Sequence, residues 1–404
     1  MKKLTAIIFM VICFIGGCAL TLFLCVSLFV GAKMASNAAS VPVDIPVTSP
    51  EDSPALSKAQ EVYDTLNAMY IGEVDEDVMC DTVAEAMVYA TGDRWSYYVP
   101  ADAFDDYMEQ MNNAYVGIGV TVQQTEDGRL VITEVAPEGP AYEAGVLMGD
   151  EFAAVDGTDC LGMSLTELRT LVKGEEGSKV SITFLRGDET IDFTIERRNI
   201  QTEVVSCHMI GDVGYIAIYN FDAGAGEKTI EAVQQMQAQG AKSLLFDVRF
   251  NPGGLKVELL EALDFLLPEG VLFRSKDFRG QEEIDSSDAS CVDLPMAVLI
   301  NQDSYSAAEF FAAALSEYGV AKTVGTQTCG KGYFQVLQPL SDGSAINISV
   351  GEYRTPNDFS LAEEGGLVPD VVLELDEEDL RQLAAHQLEE KDDEQLQKAL
   401  ELLK

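Results

Sequence analysis

The stretch 299-LINQDSYSAAEFFAAALSEYGVAKTVGTQTCGKGYFQ-335 sets one serine at the mouth of a helix, one lysine in a glycine-flanked turn and one glutamine shortly after it. Ala297-Val-Leu-Ile300 is apolar and β-prone, which predicts a buried strand. Asn301, Asp303 and Ser304 then punctuate the chain, and Ala307-Ala-Glu-Phe-Phe-Ala-Ala-Ala-Leu315 is strongly helical. Ser306 therefore falls at a strand-to-helix turn, where free backbone N–H groups and the helix dipole favour a developing oxyanion. The same position also reads as a plain N-cap. A serine hydroxyl becomes a nucleophile only beside a base. A second β-type run, Ala321 to Gly325, leads into Thr328-Cys-Gly-Lys-Gly332, whose glycines let backbone crowd around Lys331. Lysine acts as a base near neutral pH only where burial lowers its pKa, because desolvation disfavours the ammonium. The amide of Gln335 can hold that nitrogen in line without adding charge, whereas a carboxylate would pull the pKa back up. Alone, Gly-Lys-Gly also reads as a solvated turn or an anion contact. No GxxxxGK[ST] pattern surrounds it, so a nucleotide phosphate loop is not expected.

With these residues in place, the chain resembles the carboxyl-terminal processing (tail-specific) proteases, serine peptidases with a Ser-Lys dyad and an orienting Gln. Their Ser-Ala-Ser-Ala-Ser-Glu signature stands here as Ser304-Tyr-Ser-Ala-Ala-Glu309, and their Phe-Gly-Lys-Gly-x-x-Gln as Cys329-Gly-Lys-Gly-Tyr-Phe-Gln335. The resemblance implies Ser306 as nucleophile, Lys331 as base and Gln335 as its partner. Tyr305, Ala308 and Cys329 depart from the usual Ala, Ser and Phe without removing a catalytic group. Glu317 stands where many relatives have Asp and is assigned no role beyond helix structure. The family's Asp-Leu-Arg-Asn-Asn-Pro-Gly-Gly is matched from Asp247 to Gly254 apart from Val248 and Phe250. The resemblance implies an oxyanion hole built from the Gly254 and Ala307 N–H groups, ordinarily a large catalytic term. On its own, the Gly-Gly pair also reads as a strand-to-helix turn.

The formal charge of −42, from 68 acids against 26 bases, argues against a nucleic-acid partner. Lys2 and Lys3 precede an uncharged apolar run from Leu4 to Ala32, followed by Lys33. This run exceeds a signal-peptide core of roughly 7–15 residues and the roughly 20 needed to span a bilayer. It predicts a transmembrane signal-anchor with its amino end inside, which puts the rest of the chain outside the cytoplasm on a single-pass membrane protein. Small residues at Ser36-Asn-Ala-Ala-Ser40 offer the alternative of cleavage and secretion. A lipoprotein reading at Ile15-Gly-Gly-Cys18 fits less well, because the apolar run continues past the cysteine. Three of the eight cysteines lie in this run, and the other five are scattered without a CxxC spacing, implying neither zinc nor a disulfide framework. Cys329 reads either as a thiol nucleophile or as a small packed hydrophobe. His208 and His386, the two histidines, lack a plausible Ser-His-Asp constellation or metal set, so neither metal nor cofactor is expected.

Six segments are expected: a cytoplasmic stub and anchor (1–33), a Pro/Ser-rich linker (34–55), a helical region (56–114), a PDZ domain (115–198), a peptidase domain (199–375) and a charged helical tail (376–404). The helical region holds the single Trp in Arg94-Trp-Ser-Tyr-Tyr98, and packing and homodimer contact are its expected roles. Gly117-Ile118-Gly119-Val120 opens a run of short strands and turns that resembles a circularly permuted bacterial PDZ domain. Such glycines free N–H groups to grip a peptide carboxylate while the adjoining strand edge pairs with the peptide. A hairpin turn is the plainer reading of the glycines, and no helix follows them as a dinucleotide fingerprint would require. Leucines at loosely helical spacing in the tail suggest a surface or partner helix. The expected fold is a multidomain α+β and α/β chain: a transmembrane helix, a helical segment, a β-rich PDZ-like domain and a crotonase/ClpP-like α/β peptidase body. The expected function is a serine endopeptidase acting on protein or peptide substrates with apolar C-termini. A non-catalytic PDZ adaptor and a crotonase-like acyl-transfer enzyme are the alternatives, the latter lacking a recognisable nucleotide-tail pocket.

Overall fold

The computed structural model describes residue 49 and residues 52–404 apart from 126 and 188. The expected span over Leu4–Ala32 and most of the linker lie outside these residues. Among the described residues, no helix is long and apolar enough to cross a membrane. The described residues form two compact units, one comprising those up to Phe104 together with 275–283 and 332–353, the other the remainder.

In the first unit, the helix Pro54–Met69 starts on Ser53, whose Oγ accepts from Leu56 N, and has a proline in its first turn. The helix Glu76–Tyr89 starts on Asp75 in the same way, with two further acids in its first turn favoured by the helix dipole. The first of these helices buries none of its residues. The strand Tyr97–Val99 pairs antiparallel with Ala345–Arg354, which also pairs antiparallel with Tyr333–Pro339. That second pairing sets Gln335 opposite Ser349, directly after a register shift at Phe334.

Within the second unit, strict alternation builds the PDZ-like sheet. Along Lys179–Arg186, Val180, Ile182 and Phe184 are buried while Lys179 and Ser181 face water. Val120–Gln124, Leu130–Val135, Glu151–Val155, Lys179–Arg186 and Glu189–Glu196 follow one another in an antiparallel sheet. Ile132, Phe152, Leu168 and Phe184 meet in its core, the two rings edge to face at 4.6 Å. The helix Leu165–Val172, which supplies Leu168, opens on a Ser164/Glu167 capping box.

The other six-stranded sheet of this unit reads differently because most of its strands run parallel. Val205–Ile210 pairs antiparallel with Val213–Ile218, after which Ser243–Asp247, Met296–Ile300, Ala321–Gly325 and Val371–Val372 add in parallel. Ser243–Asp247 and Met296–Ile300 are buried at every position, which is why they appear as continuous apolar runs without alternation. Their carboxyl ends lie side by side, the place where open α/β sheets gather functional loops. The loops leaving those ends carry residues 248–254 and 301–306.

The tail departs from the sequence expectation. Glu377–Ala384 buries none of its residues, but Glu394–Leu402 buries Gln395, Leu396 and Ala399. Leu396 and Ala399 pack against Val213, Leu245, Ala297, Leu299 and Val324 of the parallel sheet. The helically spaced Leu396, Leu400 and Leu403 supply this apolar seat, and Asp393 and Gln395 are buried beside it.

Candidate active site

Ser306 is the residue before the helix Ala307–Glu317 and has φ 52°, ψ −111°. A non-glycine residue with positive φ costs on the order of 1–3 kcal/mol and persists only where its surroundings dictate it. Here they do. Ser306 N donates to Glu309 Oε2 at 2.8 Å, and Tyr305 N donates to the Asn251 carbonyl at 2.9 Å. Ser304 is buried, its Oγ donating to the Val248 carbonyl at 2.8 Å, so this first serine of the motif is a structural strut. The helix that follows is buried from Ala307 to Leu315, which explains its apolar composition on all sides.

Glu309 organises the centre. Its Oε2 accepts Ser306 N at 2.8 Å and Lys331 N at 2.9 Å; its Oε1 accepts Thr328 Oγ1 and Gly330 N, each at 2.6 Å. One side chain with no exposed surface thus draws the serine turn and the lysine turn onto a single carboxylate. Burial pushes the Glu309 carboxyl above its ordinary range, and the hydrogen bonds from Thr328, Gly330, Lys331 and Ser306 oppose that rise. The Thr328 hydroxyl also accepts Leu367 N at 2.7 Å, so the closing turn Gly366–Asp370 braces the lysine turn from behind. The sequence did carry a cue for Glu309: the spacing Ser306-x-x-Glu309 is that of a capping box.

Gly253 and Gly254 approach the same serine. A Cβ on Gly253 would lie 2.9 Å from Ser306 Cβ and 3.1 Å from Ala307 N. On Gly254, at φ 149°, a Cβ would stand 2.2 Å from the Phe221 carbonyl carbon, where Phe221 and Gly254 form a parallel bridge. Only glycine fits either place. The turn therefore stacks backbone directly against the start of the helix, beside Ser306 and Ala307. Next to it lies Asp222, its carboxyl pushed up to about 7 by burial and by the nearby Glu258 carboxylate.

Gln335 is fixed within the first unit, its Nε2 donating to the Tyr333 carbonyl at 3.0 Å and to Ser349 Oγ at 3.1 Å. With both amide protons directed there, Oε1 is the acceptor end of the side chain. Ser349 N in turn donates to Ser96 Oγ at 2.9 Å, and Ser96 donates to Asp93 Oδ2 at 2.6 Å. Glu317 holds a different turn, accepting Thr355 Oγ1 at 2.5 Å and Asn357 N at 2.8 Å. In the PDZ-like sheet, Ile118 is a core residue, and the Ile118 and Gly119 carbonyls accept Ala141 N and Ala136 N, each at 2.9 Å. The histidines lie apart from the serine's neighbours: His208 pairs with Glu390 at 2.6 Å and His386 packs edge-on against Tyr219.

Residues 212–373 match the model of peptidase family S41, and residues 131–186 match that of a PDZ domain. The chain is 30% identical over 323 residues to a protein of Staphylococcus aureus (strain N315) named "Probable CtpA-like serine protease", covering 79% of this chain and 65% of that relative. A protein of the same name from Staphylococcus epidermidis (strain ATCC 35984) is 28% identical over 320 residues, covering 78% and 65%. The chain thus spans 65% of the length of these relatives. Among solved structures, "Photosystem II D1 C-terminal processing protease" superposes with a TM-score of 0.47 at 25% identity, covering 79% of this chain and 87% of that one. Residues 212–373 of this chain are thus similar to peptidase family S41, and residues 131–186 to a PDZ domain.

Proposed function

We propose that the protein is a serine endopeptidase working through a Ser306–Lys331 dyad and an acyl-enzyme. The observation that carries this reading is the convergence of the Ser306 and Lys331 backbone N–H groups on one oxygen of Glu309, with Gly253 stacked against Ser306. Neutral Lys331 accepts the hydroxyl proton as Ser306 Oγ attacks a peptide carbonyl. The Gly254 and Ala307 N–H groups, at the start of the buried helix, stabilise the oxyanion. Lys331 returns the proton to the departing amine, then takes one from water as hydroxide attacks the ester. Collapse of the resulting intermediate releases the carboxylic acid as Lys331 returns the proton to Ser306 Oγ, which restores both residues. The family resemblance assigns Gln335 as the lysine's partner.

In this reading the body has the crotonase/ClpP-like layering of strands and helices. Gly117, Ile118, Gly119 and Val120 grip the C-terminal carboxylate of an apolar-tailed protein, and the strand Val120–Gln124 pairs with its backbone. The run Leu4–Ala32 anchors the chain in the membrane with the catalytic part outside the cytoplasm, and the helices of the first unit form a homodimer contact. The test is incubation of the full chain with an unfolded protein bearing an apolar C-terminus, beside Ser306→Ala and Lys331→Ala. Cleavage lost in both variants supports the dyad. Binding of the tail without any cleavage would identify an adaptor instead.

A further inference from the structure

Between the strand Ser243–Asp247 and the Gly-Gly turn lies a buried charge network that reaches the tail helix. Arg249 Nη2 donates to Asp247 Oδ2 at 2.6 Å and to Asp393 Oδ2 at 2.8 Å. Its Nη1 donates to Asp393 Oδ1 at 3.2 Å and Gln395 Oε1 at 3.0 Å, and its Nε to both Asp247 oxygens. The side chains of Arg249 and Asp393 are only 2% and 4% exposed. Burial alone would lower the Arg249 pKa, but the two aspartates outweigh it and hold the guanidinium charged. Gln395 is itself anchored through Nε2 to the Leu373 carbonyl at 2.7 Å, and Tyr215 Oη closes the Asp247 side at 2.8 Å.

From Arg249 the path to Ser306 is short. Val248 O accepts Ser304 Oγ, Phe250 N donates to Asn301 Oδ1 at 3.0 Å, and Asn251 O accepts Tyr305 N at 2.9 Å. Asn251 Oδ1 accepts Gly253 N at 2.8 Å, and Gly253 abuts Ser306. Phe250 sits at φ 59°, a second strained non-glycine residue in the same loop pair. Such a conformation persists only when both flanks are held. Asn251 holds one flank, and the Arg249 fork, gripped by the tail, holds the other.

We propose that Asp393 and Gln395 are positioning residues for the Ser306 centre: by gripping Arg249 they hold the 248–254 turn in its reacting shape. The helix Glu394–Leu402 is then a strut of the active site, and its loss switches the site off. The kinetic arm of this inference rests on the peptidase reading; a second arm does not.

The test is Asp393→Asn in the full chain, compared with Leu396→Ala. Asparagine keeps the N-cap bond to Leu396 N but removes the charge facing Arg249. Leu396→Ala loosens the apolar seat of the same helix and leaves the Arg249 grip intact. The expected result is at least a tenfold loss of kcat in Asp393→Asn with KM within twofold, while Leu396→Ala keeps its kcat at temperatures below its melting point. Hydrogen exchange at the Phe250, Asn251, Gly253 and Gly254 amides quickens at least tenfold in Asp393→Asn, with the PDZ strands unchanged. Unchanged kcat, or parallel kcat losses in both variants, would overturn the proposal. Should wild type show no Ser306-dependent cleavage, the peptidase reading fails and exchange alone decides; unaltered exchange then overturns the strut. If Asp393→Asn does not fold, Gln395→Met is read the same way with a smaller effect in the same direction.

Discussion

The two six-stranded sheets of the second unit are stabilised by different physics. The PDZ sheet rests mainly on apolar packing, with Ile132, Phe152, Val180, Ile182, Phe184 and Ile195 enclosed, and its buried Asp150 pairs with the partly exposed Arg186. The parallel sheet carries buried charge and strain at its carboxyl edge: Glu309 beneath Ser306, and Arg249 between Asp247 and Asp393 beside Phe250. Apolar packing degrades gradually when a side chain is cut back. A buried charge whose partner is removed fails abruptly, because an unpaired charge or donor stays desolvated. One sheet can therefore vary while keeping its shape, and the other holds a single geometry that chemistry needs.

The largest expected effect breaks the second arrangement. Glu309→Leu deprives four donors of their acceptor, each worth about 1–3 kcal/mol when left unsatisfied. Cleavage should fall by ~100-fold or more, and denaturant unfolding should show a loss of at least ~3 kcal/mol. Retained activity would show that the carboxylate does not align the two turns. Next comes the contrast within the PDZ sheet. Phe184→Ala, at a residue with no exposed surface, should cost about 3–5 kcal/mol in PDZ unfolding. Turnover of a short peptide that needs no PDZ contact should nonetheless stay within about twofold of wild type, an equilibrium-versus-kinetics comparison made on one sample.

A smaller effect concerns pH. Asp222 is raised from its ordinary value to about 7 in the folded chain. The native state therefore binds more protons than the unfolded one between about pH 4 and that value, and stability falls as pH rises through this window. Asp222→Asn should flatten the slope and leave the protein ~1–3 kcal/mol more stable than wild type above pH 7, with no gain below pH 4. Melting curves across pH 4–8 read this directly; an unchanged slope would place the titration elsewhere. The smallest expected change is at Ser349→Ala, which removes one acceptor from the Gln335 amide. One hydrogen bond of about 0.5–1.5 kcal/mol predicts a threefold-to-tenfold fall in kcat, roughly, and none in Gln335→Ala background.

What the sequence revealed follows the same division. The apolar runs at Ala297–Ile300 and Ala321–Gly325 are local signals, and each became the expected strand. Ser306 and Lys331 could be singled out as candidates because each stands in a short motif whose turn is local. Arg249 and Asp393 were not, being 144 residues apart and joined only by the folded sheet. Leu396, Leu400 and Leu403 marked an apolar face but not what covers it, so the tail read as a surface or partner helix although it seats on the parallel sheet. Glu309 lay in plain view as part of a capping spacing, yet its bonds to Gly330 and Lys331 come from a turn beyond the next strand.

The measurement that bears most directly on the dyad is rapid-quench mass spectrometry of the full chain mixed with a cleavable apolar-tailed peptide. The account predicts a transient acyl adduct on Ser306 in wild type that does not form in Lys331→Ala. An adduct on Cys329, or turnover with no covalent intermediate, would contradict it.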